Sequence, residues 1–213
     1  MSPGGTGVPG QEPVGGEHPG VLRPADALFA LRVVQLRGPL DEAAGGDLAA
    51  RLMYLDGAGE EAVTLYVDSP GGPVHAAFGV LDTIALLGVP VDTVCVGRAE
   101  GTAVAVVAAG RRRLAAPHAR FCLAEPEVSV HGRAGELASW AAHHASQSAR
   151  LAAELARSTA RPVEHVEADL ASGRWLDAEQ AQSYGIVDGP WTPGAAGRGG
   201  SPPRPPLGFG PRR

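Results

Sequence analysis

Apolar positions along this chain recur with two alternating periods, and each change of period marks an element. A β-rich run, Val63 to Val67, breaks at Asp68-Ser69-Pro70-Gly71-Gly72. It resumes as Val74, Phe78, Leu81 and Ala85, the spacing of one helix face. A second unit repeats the pattern, with Val91 to Gly97 as a short buried strand and Arg98 to Gly101 as a turn. Thr102 to Ala109 is then a helix apolar on every side, which must be buried all round. Upstream, Ala25 to Leu31 predicts a short helix and Leu31 to Leu36 a strand. Asp41 is placed to cap a helix running to about Leu55, with Leu48, Leu52 and Leu55 at helical spacing. Downstream, Arg120 to Ala124 predicts a short strand, and 127–134 an extended, Gly-containing stretch. The longest amphipathic helix follows, from Gly135 to about Thr159. Leu137, Trp140, Ala141, His144, Ser148, Leu151 and Leu155 share its apolar stripe. Pro162 suits a first helical position, Asp177 and Gln180 form a capping box, and Gly185 ends the last helix.

Two strands that each lead into a helix imply parallel pairing with right-handed crossovers. Both turns then lie at the carboxyl ends of strands, where α/β proteins bind ligands. Gly71 and Gly72 lack a Cβ, so their N–H groups can approach a ligand closely, and Gly101 to Ala103 offers N–H groups at a helix start. Gly72 and Thr102 are thus candidates for an oxyanion hole.

The order of strand, D-S-P-G-G, amphipathic helix, strand ending C-V-G and apolar helix ending A-A-G resembles the ClpP family, the proteolytic subunit of the ATP-dependent Clp protease. R-F-C-L-A-E-P and A-E-Q-A-Q-S-Y-G-I-V-D extend the likeness from about Leu31 to Asp188. The resemblance implies an α/β spiral of ββα units, shared with crotonases, with a protruding strand-helix handle that joins heptameric rings. It also implies a Ser-His-Asp peptidase whose three members occupy recognisable motifs. The serine of G-Q-A-A-S-M-G-A falls on Gly101, the histidine of I-H-Q-P on Ala124, and the aspartate of R-D-R-[FY] on Gly173. Such a triad needs a hydroxyl to attack, an imidazole to take its proton and a carboxylate to orient the imidazole. Glycine and alanine supply none of these, so the expectation is a non-peptidase.

Nearby groups are weaker substitutes. Thr102 is rotated about 100° from the nucleophile position on a helix. Cys122 shares a strand face with Ala124 and reads as a small core residue. Ser69 is expected to bond the turn backbone and His75 to be solvated. Asp169 falls four residues from the aspartate position and is taken as structural. A Ser-Lys dyad is excluded because all 18 basic residues are arginine.

A length of 213 residues with polar ends fits a single domain over 25–189, with disordered segments at 1–24 and 190–213. A net charge of −5 with pI 5.8 argues against phosphate-directed nucleic-acid binding. Two cysteines outside any metal spacing, and adjacent His143 and His144 that diverge on a helix, give no metal site or disulfide framework. No cofactor is expected. Without an apolar run of membrane length or a signal region, the expected location is cytoplasmic. Arg111-Arg112-Arg113 reads as a solvated loop.

Three functions fit the residues. The favoured one is a non-catalytic ring subunit, homomeric or mixed with ClpP-type subunits, with a Clp ATPase as possible partner. The others are an active Clp serine-type endopeptidase with displaced catalytic residues, and a crotonase-like acyl-CoA-handling protein.

Overall fold

The computed structural model describes residues 24–126 and 133–192. The sequence expectations for 1–23, for 127–132 and for the tail from 193 onward lie outside those residues. The chain opens with α1 (Pro24–Ala30), β1 (Val33–Arg37), α2 (Glu42–Ala58), β2 (Val63–Ser69) and α3 (Val74–Leu86). It continues through β3 (Val91–Glu100), α4 (Thr102–Ala108), β4 (Arg113–Ala115) and β5 (Arg120–Leu123). The last elements are α5 (Ala134–Thr159), α6 (Val163–Ser172), β6 (Arg174–Asp177), α7 (Ala178–Tyr184) and β7 (Gly189–Pro190).

The strands form one sheet in the order β1-β2-β3-β4-β7, all parallel, and β5 branches from the far end of β3 to pair antiparallel with β6. Strict alternation in β2 buries Val63, Leu65, Val67 and Ser69 while the residues between them are half covered. Central β3 is instead buried on both faces from Val91 to Cys95, as a parallel strand covered by helices must be. Asp41 caps α2 by accepting from Ala44 N–H at 2.8 Å, and Gly45 lets α2 lie against Ala76 of α3. Every residue of α4 is buried, matching its unbroken apolar sequence.

Three local expectations are corrected. Arg98 to Glu100 is not a turn: β3 continues through it, keeping β2 on one side after a register shift opposite Val67 to Ser69 and exchanging β4 for β5 on the other. The bend falls by Gly97, where a Cβ would lie 2.5 Å from an Asp68 carboxylate oxygen. The arginine run is not a solvated loop either. Arg111 pairs with Asp92 at 3.0 Å, and Arg113 begins β4 and reaches the carbonyls of Ser158 and Gly185, both at 2.9 Å, as well as Asp188. A basic run adjoining a buried acid and two helix C-termini finds internal partners, which spacing alone cannot reveal. Pro162 is the N-cap of α6, one residue before the position expected.

Helix α5 divides in two. Leu151, Ala152, Leu155 and Ala156 join the core, whereas Leu137 is 38 % and Trp140 54 % exposed on the half that precedes them. At the other end, β7 carries parallel pairing to Pro190, and Trp191 N–H donates to Ala115 O at 2.7 Å, so ordered pairing runs just past residue 189.

Candidate functional site

Three chain segments meet where β3, β5 and β6 come together. Gly101 closes β3 and N-caps α4 with φ +51° and ψ −119°, a backbone that suits a residue without a side chain. Its N–H donates to Cys122 O at 2.9 Å, and a Cβ built on it would lie 3.4 Å from the Ala124 carbonyl. Ala124 directly follows β5. Across the antiparallel ladder Leu123 faces Arg174, which brings Gly173, the left-handed C-cap of α6, alongside Ala124. The Cys122 thiol closes the triangle by donating to Gly173 O at 3.9 Å. Positions 101, 124 and 173, far apart in sequence, thus share one corner of the fold, and none carries a hydroxyl, an imidazole or a carboxylate.

The neighbouring groups have other occupations. Cys122 is 6 % exposed, and burial first, then the Glu100 charge, pushes its thiol above the ordinary cysteine range. That holds it away from the thiolate that nucleophilic attack requires. Cys95 is buried more deeply still, its thiol pushed up to about 12 by desolvation. Asp169 accepts from Arg174 at 3.0 Å and from the Tyr184 hydroxyl at 2.8 Å, so its carboxylate ties α6 to β6 and α7. Burial, with Asp169 as its hydrogen-bond acceptor, raises the Tyr184 hydroxyl. His75 faces solvent and pairs with Glu42 at 3.0 Å, and Ser69 accepts from Gly71 N–H at 3.1 Å. His144 bonds Pro126 O at 3.0 Å, while His143 stacks edge-on against Trp140.

Sequence reasoning missed what the Thr102 side chain does. Thr102 is 1 % exposed; its hydroxyl accepts from Gly72 N–H at 2.9 Å and donates to Gly72 O at 3.0 Å. A signal existed: a hydroxyl within an otherwise apolar, buried helix must find a polar partner. Gly72 itself packs so tightly that a Cβ would lie 2.1 Å from Leu40 O. A groove of about 550 Å³ adjoins the corner between α5 and α6, lined by Glu125, His144, Ser148, Leu151, Glu167 and Leu170 among others. Among the described residues no helix is long and apolar enough to cross a membrane.

Comparison with known proteins gives this geometry a context. The Clp protease family model matches residues 17–191. A putative ATP-dependent Clp protease proteolytic subunit-like protein of Streptomyces coelicolor is 41 % identical over 170 residues, covering 78 % of this chain and 81 % of its own. ATP-dependent Clp protease proteolytic subunit 2 of Corynebacterium jeikeium is 33 % identical, with 78 % and 81 % covered. The ATP-dependent Clp protease proteolytic subunit of Porphyromonas gingivalis is 32 % identical, with 74 % and 72 % covered. Matched over most of its length and folded around a largely parallel α/β sheet, this chain belongs to the Clp protease family, that of the ClpP proteolytic subunits.

Proposed function

We propose that this chain is a non-catalytic subunit of a ClpP-type ring. The observation that carries the reading is the convergence of Gly101, Ala124 and Gly173 in one corner with no nucleophile, base or orienting acid among them. Losing a single member of a Ser-His-Asp unit already removes most of its rate, so losing all three leaves only backbone donors and binding. The helix beside the corner, α4, is buried throughout, which fits a protein retained for shape and contacts. The uncovered half of α5, with Trp140 exposed on it, supports a role in assembly with other ClpP-type subunits, and those assemblies would work with a Clp ATPase in the cytoplasm.

Two measurements test this. Light scattering coupled to size exclusion, alone and with an intact-triad ClpP from the same cell, is expected to show a ring; monomer in both cases would sink the proposal. A fluorophosphonate and a cysteine-directed activity probe are both expected to leave the protein unlabelled, and stoichiometric labelling by either would restore the reading of an active endopeptidase with displaced residues. That alternative would draw on Gly72, Thr102 and Cys122; the Thr102 hydroxyl is bonded to Gly72 N–H and O, and the burial and raised thiol of Cys122 argue against it. The crotonase reading is not favoured, since the curated relatives reported above are all Clp proteolytic subunits or subunit-like proteins.

A further inference from the structure

The loop between β2 and α3 has its peptide groups committed to the protein itself. Gly71 N–H donates to the Ser69 hydroxyl at 3.1 Å, and Gly71 O accepts from Leu40 N–H at 3.0 Å. Gly72 N–H and Gly72 O are both taken by the single Thr102 hydroxyl, at 2.9 and 3.0 Å. A hydroxyl that accepts from one peptide group and donates to its neighbouring carbonyl uses its proton and a lone pair at once. The hydroxyl is buried, and no room exists around it for the loop to drift: Cβ atoms on Gly71 or Gly72 would meet Glu100 O at 2.5 Å or Leu40 O at 2.1 Å.

We propose that Thr102 is an internal latch that closes the Ser69–Gly72 loop, so that the corner holding Gly101, Ala124 and Gly173 is shut to carbonyl-bearing ligands such as peptides, as well as lacking catalytic groups. An oxyanion donor works only when it is free and aimed at the reacting oxygen. Here the Gly72 N–H already has an acceptor within the chain, the Thr102 hydroxyl at 2.9 Å. The inference rests on reading that corner as the vacant triad, and it adds a second, independent lock: restoring the triad side chains alone does not reopen the site.

The test compares Thr102→Val, which keeps the shape and removes the hydroxyl, with Thr102→Ser, which keeps the hydroxyl. Hydrogen–deuterium exchange on the intact assembly, resolved to Gly72 by peptide fragmentation, is expected to be about tenfold faster in Thr102→Val, the loss of about one hydrogen bond. Thr102→Ser and the amides of α4 should remain as in the unaltered protein. Equal exchange at Gly72 in Thr102→Val, or acceleration throughout α4, would overturn the latch. In a second arm, Gly101→Ser/Ala124→His/Gly173→Asp is made with and without Thr102→Val and treated with a fluorophosphonate. Labelling at least about tenfold faster in the protein lacking the hydroxyl supports the latch, since one oxyanion donor is worth about 10²–10³ in rate. Equal labelling refutes it. If neither protein is labelled, the exchange result decides alone. Labelling of the unaltered chain would count against the non-catalytic reading and leave the exchange arm untouched, so the two failures are distinguishable.

Discussion

Replacing Gly101 by serine would place a hydroxyl at the proposed nucleophile position, and the backbone lets its cost be worked out. At φ +51° and ψ −119° a residue with a side chain occupies a sparsely populated region, at roughly 1–3 kcal/mol. Against this, replacing glycine narrows the unfolded ensemble and returns about 0.4–1 kcal/mol. Space contributes little: the new Cβ would meet only Ala124 O, at 3.4 Å, an ordinary contact. Taking the midpoints of the two ranges, the net expectation for Gly101→Ser is a loss of about 1.3 kcal/mol. With a urea slope of about 2 kcal/mol per molar, the unfolding midpoint should fall by about 0.5–1 M. Gly46→Ala is the matched control. It lies within α2, with nothing within 4 Å of its built Cβ, and it should gain about 0.5–1 kcal/mol. Both variants must be compared at one protein concentration, because assembly adds to apparent stability. A Gly101→Ser midpoint equal to or above that of the unaltered protein, with Gly46→Ala behaving as expected, would refute the strain argument.

Three further outcomes follow from the buried and partly buried polar groups. Both cysteines are buried and both thiols are pushed up, Cys95 to about 12, so a disulfide exchange reagent at mild alkaline pH should find no fast thiol until urea exposes two; rapid labelling of Cys122 in the native protein would revive it as a nucleophile. Arg113→Ala removes a side chain that is 19 % exposed and bonds Asp188 and the carbonyls of Ser158 and Gly185, and should cost about 2–3 kcal/mol in denaturant titration. The pH dependence has a definite sign. Burial alone would raise the Asp188 carboxyl, but its bonds with Arg113 outweigh that and hold it below its ordinary value of 3.8. A depressed carboxyl stabilises the fold above its unfolded value and loses that contribution as pH falls through the folded one. The stability gap between the unaltered protein and Arg113→Ala should accordingly narrow as pH drops below about 3.8, and a gap that widens there would contradict the assignment.

Most of the architecture was legible because periodicity and chain punctuation agree. The strict alternation of Val63, Leu65 and Val67, the leucines of α2, the wholly apolar α4 and the Asp177–Gln180 capping box each predict their element locally, and the structure has them there. The errors fall where a tertiary partner decides. Nothing near Arg98–Glu100 announces that β3 will change neighbours and run on to pair with β5. The arginine run looks solvated until Asp92, Asp188 and two helix ends are brought beside it. The site shows the same division. The family resemblance pointed to positions 101, 124 and 173, and the fold brings them together, but the inward turn of the Thr102 hydroxyl onto Gly72 depends on a contact between residues 30 apart in sequence.

If the proposed vacant triad is correct, the residues now in that corner follow a physical direction. Gly101 lies at φ +51° and Gly173 at φ +66°, so two of the positions now hold the residue that such backbones favour. A catalytic side chain at either place would be retained against local preference, its strain offset by the rest of the fold. On the proposed non-catalytic reading, glycine relieves that strain at the ends of two elements, with Gly101 buried where β3 meets α4 and Gly173 half-buried at the C-cap of α6. The buried helix α4 immediately after Gly101 has no such freedom. Each of its residues fills the interior, and any loss there is felt as a cavity. On the proposed non-catalytic reading, stability therefore favours glycine at these two positions while holding the buried helix beside them unchanged.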